Sequence, residues 1–230
     1  MKFEQKNGKI NIEKEISLDG GIIMNENIVV TIARQCGSGG REVGEILAKN
    51  LNMVYHDKSL INLAAEKSGM NPEILKNADE RATPSFLYSI AVGAIGMVPF
   101  SHGMPYDTPV NDRLFVLQSG IIEEEAQKYP CVFVGRCADF VLRNHPKLVR
   151  VFIYASPEKR IERIAKTNEV ESGEAKSLMT KIDKKRANYY NYYTSQKWGR
   201  SENYDLMIDT TKIGTEGAAK IIEEYIKLIK

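Results

Sequence analysis

The sequence predicts an α/β fold in three layers, with a parallel sheet between helices, and three observations carry that expectation. Short runs such as NIVVTIA (27–33) and PCVFVG (130–135) are apolar at consecutive positions, as strands covered on both faces must be. These runs alternate with stretches whose apolar residues recur at helical spacing. The residues with chemistry in them (a glycine-rich loop, Asp57, Arg136 and Asp139) each follow a strand-like run, where sheets of this kind bind ligands.

Residues 1–26 mix acids and bases without an apolar signal core and read as a loose N-terminal arm. Residues 27–230 form the domain. Its first strand, 27–33, runs into the loop, after which Val43, Ile46, Leu47 and Leu51 mark a helix. NMVYHD (52–57) reads as a second short strand, with Asp57 at its carboxyl end, and KSLINLAAEKSGM as a helix. Residues 71–111 are irregular and rich in Pro, Gly and Ser. The stretch 112–129 is an amphipathic helix leading into the strand 130–135, which ends in GRCAD. A helix containing FVLRN precedes the strand 147–156, and PEKRIERIAK opens a helix with proline in its first turn. A charged, aromatic stretch spans 169–203. YDLMIDTT (204–211) is the last strand, and EGAAKIIEEYIKLIK closes the chain as a helix.

Composition narrows the function classes. Lys and Arg number 32 against 30 Asp and Glu, so the net charge of +2 argues against a nucleic-acid binder. Charge can still be focused locally on a small anion. The three cysteines, Cys36, Cys131 and Cys137, show no paired spacing, so a reducing, cytoplasmic setting is expected and a zinc site is not. No run reaches the roughly 20 apolar residues that span a bilayer. The most apolar segment, 87–100, is broken by two glycines and a proline, and no membrane partner is expected. The stretches 86–98 and 112–129 have three fates open to them: a homodimer contact, the acceptor pocket or the core. Core is the expectation.

Three motifs carry the chemistry. In TIARQCGSGGREVGEILA (31–48) a glycine-rich loop joins a strand to a helix. There, backbone N–H groups and the helix N-terminus can cradle phosphate, and glycine supplies both access and positive φ. The full signature is GxxxxGK[ST]. Here Arg34 stands at the first glycine, Gly39 at the second, Gly40 at the lysine and Arg41 at the Ser/Thr. From the residues alone, a phosphate cradle and a packing turn both stay open. In VFVGRCADFVL, Arg136 can aim a bidentate guanidinium at a phosphate or carboxylate, or pair with Asp139 or Asp57. In KIDKKRANYYNYYTSQKWGR, Lys181, Lys184, Lys185 and Arg186 lie within two helical turns, followed by Tyr189, Tyr190, Tyr192 and Tyr193. The lysines and arginine read either as cations for a transferring phosphoryl group or as a solvated face, and the tyrosines as packing for the hinge. Trp198 reads as a packing anchor.

Taken in order, VTIARQCGSGGREVGEILAKNLNMVYHDKSLI, VFVGRCADFVLRNHPKLVRVFIYASPEKRIERI and KKRANYYNYY…WG…NYDLMIDTT resemble the cytidylate kinase-like family of P-loop nucleoside monophosphate kinases. The resemblance implies a five-stranded sheet of order 2-3-1-4-5, an acceptor-binding segment at 71–128, a LID region at 160–203, and ATP with Mg2+. It implies a nucleoside monophosphate or similar phosphate-bearing small molecule as partner. Gly37, Ser38, Gly39 and Gly40 would cradle the donor phosphates, with Arg160 and Arg163 as cations leading into the LID. Asp57, Arg136 and Asp139 would lie near the acceptor, Asp57 also near the magnesium shell, and Arg186 with Lys185 would close on the transferring phosphoryl. Two departures stand out. Cys137 replaces an aspartate that helps cytidylate kinases recognise their base, and the loop lacks both lysine and Ser/Thr. Arg41 is expected to supply the missing charge, with Arg34 a second candidate. Glu42 would either hold magnesium through water or favour the helix dipole.

Overall fold

A computed structural model describes residues 27–57, 59–68 and 110–229. The arm, the 71–109 part of the acceptor segment and the apolar stretch at 86–98 lie outside the described residues.

Five strands form one parallel sheet: β1 (Val29–Arg34), β2 (Val54–His56), β3 (Cys131–Val134), β4 (Leu148–Tyr154) and β5 (Leu206–Asp209). Their order is β2-β3-β1-β4-β5, as the resemblance implied. Each strand is joined to the next through helix, because parallel neighbours need a long crossover. Among the described residues the helices are α1 (Gly40–Leu51), α2 (Ser59–Ser68), α3 (Val110–Lys128), α4 (Ala138–Val141), α5 (Pro157–Asn168), α6 (Ser172–Thr194) and α7 (Thr210–Leu228).

Every residue of β1 and β3 is buried, which explains why both read as unbroken apolar runs. One face of the sheet packs against α1 and α7 in an aliphatic layer that includes Ile32, Val43, Leu47, Val151 and Ile222. The other packs against α2, α3 and α4 through Leu60, Leu114, Ile122, Phe133 and Ala138. The apolar side of the 112–129 stretch is thus committed to the core.

Two elements differ from the periodicity reading. α7 begins at Thr210, six residues early, because the Asp209 carboxylate accepts the Thr211 N–H at 2.8 Å and starts a turn. That turn ends at Gly214 (φ 68°, ψ −172°), after which the helix resumes. The stretch 169–203 is dominated by one 23-residue helix, α6. Among the described residues no helix is long and apolar enough to cross a membrane.

Candidate phosphate-binding site

The loop between β1 and α1 is fixed from below and open above. Ser38 is fully buried, and its Oγ lies 2.9 Å from the Gln35 carbonyl and 3.0 Å from the Ile153 carbonyl, sharing its one proton between them. The Thr210 hydroxyl donates to the Ser38 carbonyl at 2.8 Å. The Ser38 side chain therefore ties the loop to β4 and its carbonyl ties it to α7, and the buried hydroxyl faces away from any ligand. Gly37 and Gly39 take φ of 77° and 82°, which L side chains rarely adopt. A Cβ on Gly37 would come within 2.6 Å of the Arg160 carbonyl, and one on Gly39 within 2.3 Å of Arg163 Nη1. Both glycines are required by what packs against them. The amides of Gly37, Gly39 and Gly40 have no hydrogen-bond partner within the described residues, as expected at a helix N-terminus awaiting an anion.

Around this cradle stand cations from four elements. From α5, Arg160 Nε donates to the Cys36 carbonyl at 2.7 Å, and Arg163 Nη1 approaches the Gly37 carbonyl at 3.4 Å. From α6, Arg186 Nη1 donates to the Arg34 carbonyl at 3.1 Å, while its buried Nε makes no hydrogen bond. Arg136 follows β3, and Arg34 closes β1; both are buried. Arg34, Arg136 and Arg186 line one small chamber of about 30 Å³ with Cys137, Tyr190 and Trp198.

The chamber is shaped by local backbone strain. Gly135, Arg136 and Cys137 are three successive residues in the left-handed region, at φ 84°, 59° and 55°. For a non-glycine residue that conformation costs about 1–2 kcal/mol. It turns the chain sharply out of β3, shortens α4 to four residues and presents Arg136 to the chamber.

The carboxylates are already engaged. Asp57, buried after β2, accepts Arg41 Nε at 2.6 Å and lies 3.9 Å from Arg34 Nη2. Asp139, expected near the acceptor, instead accepts the Tyr190 hydroxyl at 2.7 Å, fastening α6 to α4. Burial raises the pKa of both members of that pair. Glu42 and Lys185 are exposed and do not line the chamber.

One member of the site escaped the sequence reading. Asp183 accepts the Cys36 N–H at 2.7 Å and pairs with the Arg160 guanidinium, so a carboxylate from α6 sits on a loop amide. Its signal was its place three residues before Arg186, on the same side of a helix, and the surrounding lysines masked it. Cys36 itself is half-buried. Burial raises its pKa against the opposing charge of Arg186, Arg160 and Arg34, which keeps the thiol protonated. Trp198 packs edge-on against Phe152 with ring centroids 5.3 Å apart, the anchor its type suggested.

The chain matches the model of the cytidylate kinase-like family over residues 29–212. No curated protein matches it. Among solved structures it is similar to an uncharacterized protein from Eubacterium ventriosum ATCC 27560, with 25% identity and a TM-score of 0.65 over 87% of this chain and 99% of that one. It shares its fold with shikimate kinase from Bacteroides thetaiotaomicron, at 13% identity and a TM-score of 0.50, over 87% of this chain and 98% of the kinase. The chain belongs to the cytidylate kinase-like family, and that family and fold support a phosphotransferase.

Proposed function

We propose that this member of the cytidylate kinase-like family transfers the γ-phosphoryl of ATP to a small phosphate-bearing acceptor, a nucleoside monophosphate of the cytidylate type. The observation that carries this reading is the meeting of unpartnered loop amides with guanidinia from two strand ends, β1 and β3, and from α5 and α6. Catalysis there consists of positioning and charge neutralisation, with no covalent step by the protein.

The amides of Gly37, Gly39 and Gly40 hold the donor phosphates, the Ser38 amide being engaged by the Gln35 carbonyl at 3.3 Å, and α5 keeps Arg160 and Arg163 against the loop. Arg136 and Arg186 grip the phosphoryl and the acceptor phosphate from opposite sides, and Arg41 adds charge at the rim. Asp57 orients Arg41 and the acceptor, Asp139 holds α6 in register, and Lys185 meets the acceptor side as the LID closes. The residues present fit a phosphate chain: glycines where a Cβ would collide, and cations on every side. They fit magnesium only through the phosphates. Among the described residues no three His, Cys, Asp or Glu cluster, and Asp57 is held by arginine, which leaves Glu42 or Asp57 as single outer contacts. Glu42 or Asp57 would hold magnesium through water, and the ion would supply positive charge to offset the negative charge of the phosphate oxygens.

The test is ADP release with Mg-ATP against a panel of monophosphates, with shikimate included because a shikimate kinase shares the fold. Turnover with one acceptor is expected, and Arg186→Ala should lower kcat roughly 100-fold or more. Intact turnover in both Arg41→Ala and Arg186→Ala sinks the charge clamp. A second reading, a nucleotide-binding module without catalysis, is favoured by the Asp183 carboxylate on the Cys36 amide. Thermal shifts with nucleotides but no ADP release from any acceptor would select it.

A further inference from the structure

The loop departs from the phosphate-binding signature at two positions that look independent in the sequence. Arginine replaces the first glycine, at 34, and glycine replaces the lysine, at 40. In space they are one exchange. A Cβ built on Gly40 would lie 2.5 Å from Arg34 Cβ and 2.9 Å from Arg34 Cγ. Those atoms are the root of a buried side chain, not its flexible end, so no side chain fits at 40 while Arg34 is present. At its far end the same arginine reaches Gly135, where a Cβ would fall 2.1 Å from Nη1 and where the φ of +84° disfavours any side chain in its own right. Arg34 therefore runs from the first residue of α1 to the turn after β3. Its guanidinium lines the chamber shared with Arg136 and Arg186.

Arg41 is the alternative stand-in, and its geometry is less suited. Its side chain is half exposed, and its Nε is committed to Asp57 at 2.6 Å. Arg34 is buried, and its guanidinium lies 3.9 Å from Asp57 and beside Gly135, at the wall of the chamber. Arg186 further anchors the Arg34 backbone through its carbonyl.

We propose that Arg34 is the loop cation of this protein, a phosphoryl-contacting arginine delivered from the end of β1 in the space that lysine occupies in the GxxxxGK[ST] loop. Glycine at 40 is then the steric condition for that arginine. The proposal deepens the phosphate-binding reading of the site and rests on it.

Isothermal titration of the full chain with inorganic pyrophosphate tests it, alongside ADP release. Arg34→Met keeps the stem that packs on Gly40 and removes the charge. It should weaken pyrophosphate binding at least tenfold, and more than Arg41→Ala does. Arg34→Gly should lose binding in the same way, and the double variant Arg34→Gly with Gly40→Lys, which restores the first glycine and the lysine of the conventional loop, should recover most of it. Binding by Arg34→Met within twofold of wild type overturns the proposal, and so does a double variant no tighter than Arg34→Gly. Should a single variant fail to fold, the double variant decides: tight binding supports the exchange and absent binding overturns it. A wild-type chain that binds pyrophosphate through Arg34 yet releases no ADP with any acceptor overturns the proposed catalysis alone. One that does not bind pyrophosphate overturns the cradle and this inference together.

Discussion

The two faces of the sheet are held by different physics. Against α1 and α7 the buried layer is aliphatic, built from Val, Ile, Leu and Ala on both sides. Against α3, α4 and the end of α6 it is laced with polar groups. Tyr193 donates to Asp112 at 2.7 Å, Tyr190 donates to Asp139, and His56 stacks on Phe133 at 4.9 Å. Aliphatic packing has no direction, and it serves to hold five strand ends level under the loop. Hydrogen bonds between buried groups do have direction, and here they set the rotation and height of α6. Since α6 carries Asp183 and Arg186 onto the loop, the polar face is where fold and site are coupled.

The largest effect expected on this contrast is from the aliphatic side. Leu47 is fully buried, and Leu47→Ala should cost about 3–4 kcal/mol in chemical denaturation. Pyrophosphate affinity of the folded protein should stay at the wild-type value. A change in that affinity would break the separation of scaffold from site.

Next in size is a pH effect from the polar face. Burial pulls the His56 pKa from 6.5 down to about 4, and Glu125, 3.6 Å away, is too distant for a hydrogen bond that would reverse it. The unfolded chain takes up a proton below about pH 6.5 that the folded chain refuses until about pH 4. Stability contributed by neutral His56 is therefore complete above pH 6.5 and lost as pH falls through that window, by about 3 kcal/mol in all. Denaturation of wild type and His56→Gln at pH 7 and pH 4.5 should show a difference that narrows at the lower pH. Parallel curves would remove His56 from the account.

The smallest effect comes from one directional bond. Burial raises the Asp112 pKa and the Tyr193 hydroxyl opposes that rise. Tyr193→Phe should cost about 1.5 kcal/mol at pH 7 and less at pH 4, where the carboxyl is more often protonated. Equal losses at the two pH values would mean that packing against Phe115, not the hydrogen bond, holds α6.

Much of this was legible in the sequence where burial is one-sided or total. β1, β3 and β4 announce themselves because strands covered by helices must be apolar throughout, and the loop's glycines announce a close approach. What escaped depends on contacts between distant residues. Nothing in the chain says that position 40 is glycine because Arg34 stands above it. Asp183 was hidden among lysines, although the lysines are exposed and it is the acid that reaches the loop. Asp139 looked like a ligand contact from its place after β3, and the structure gives it a tyrosine instead. Tyr189, Tyr190 and Tyr193 read as hinge packing, and they are core, although which helices they join was not legible in the chain.

The left-handed run at Gly135, Arg136 and Cys137 has a consequence for how such a site can diverge. Any replacement at 136 or 137 is filtered by the backbone before its chemistry is tried. Valine, isoleucine and threonine are closed out by their branched Cβ, while glycine, asparagine and aspartate enter this region at low cost. The genetic routes by which this scaffold can drift to a new acceptor at these two positions are accordingly few, and they lead first through small polar residues.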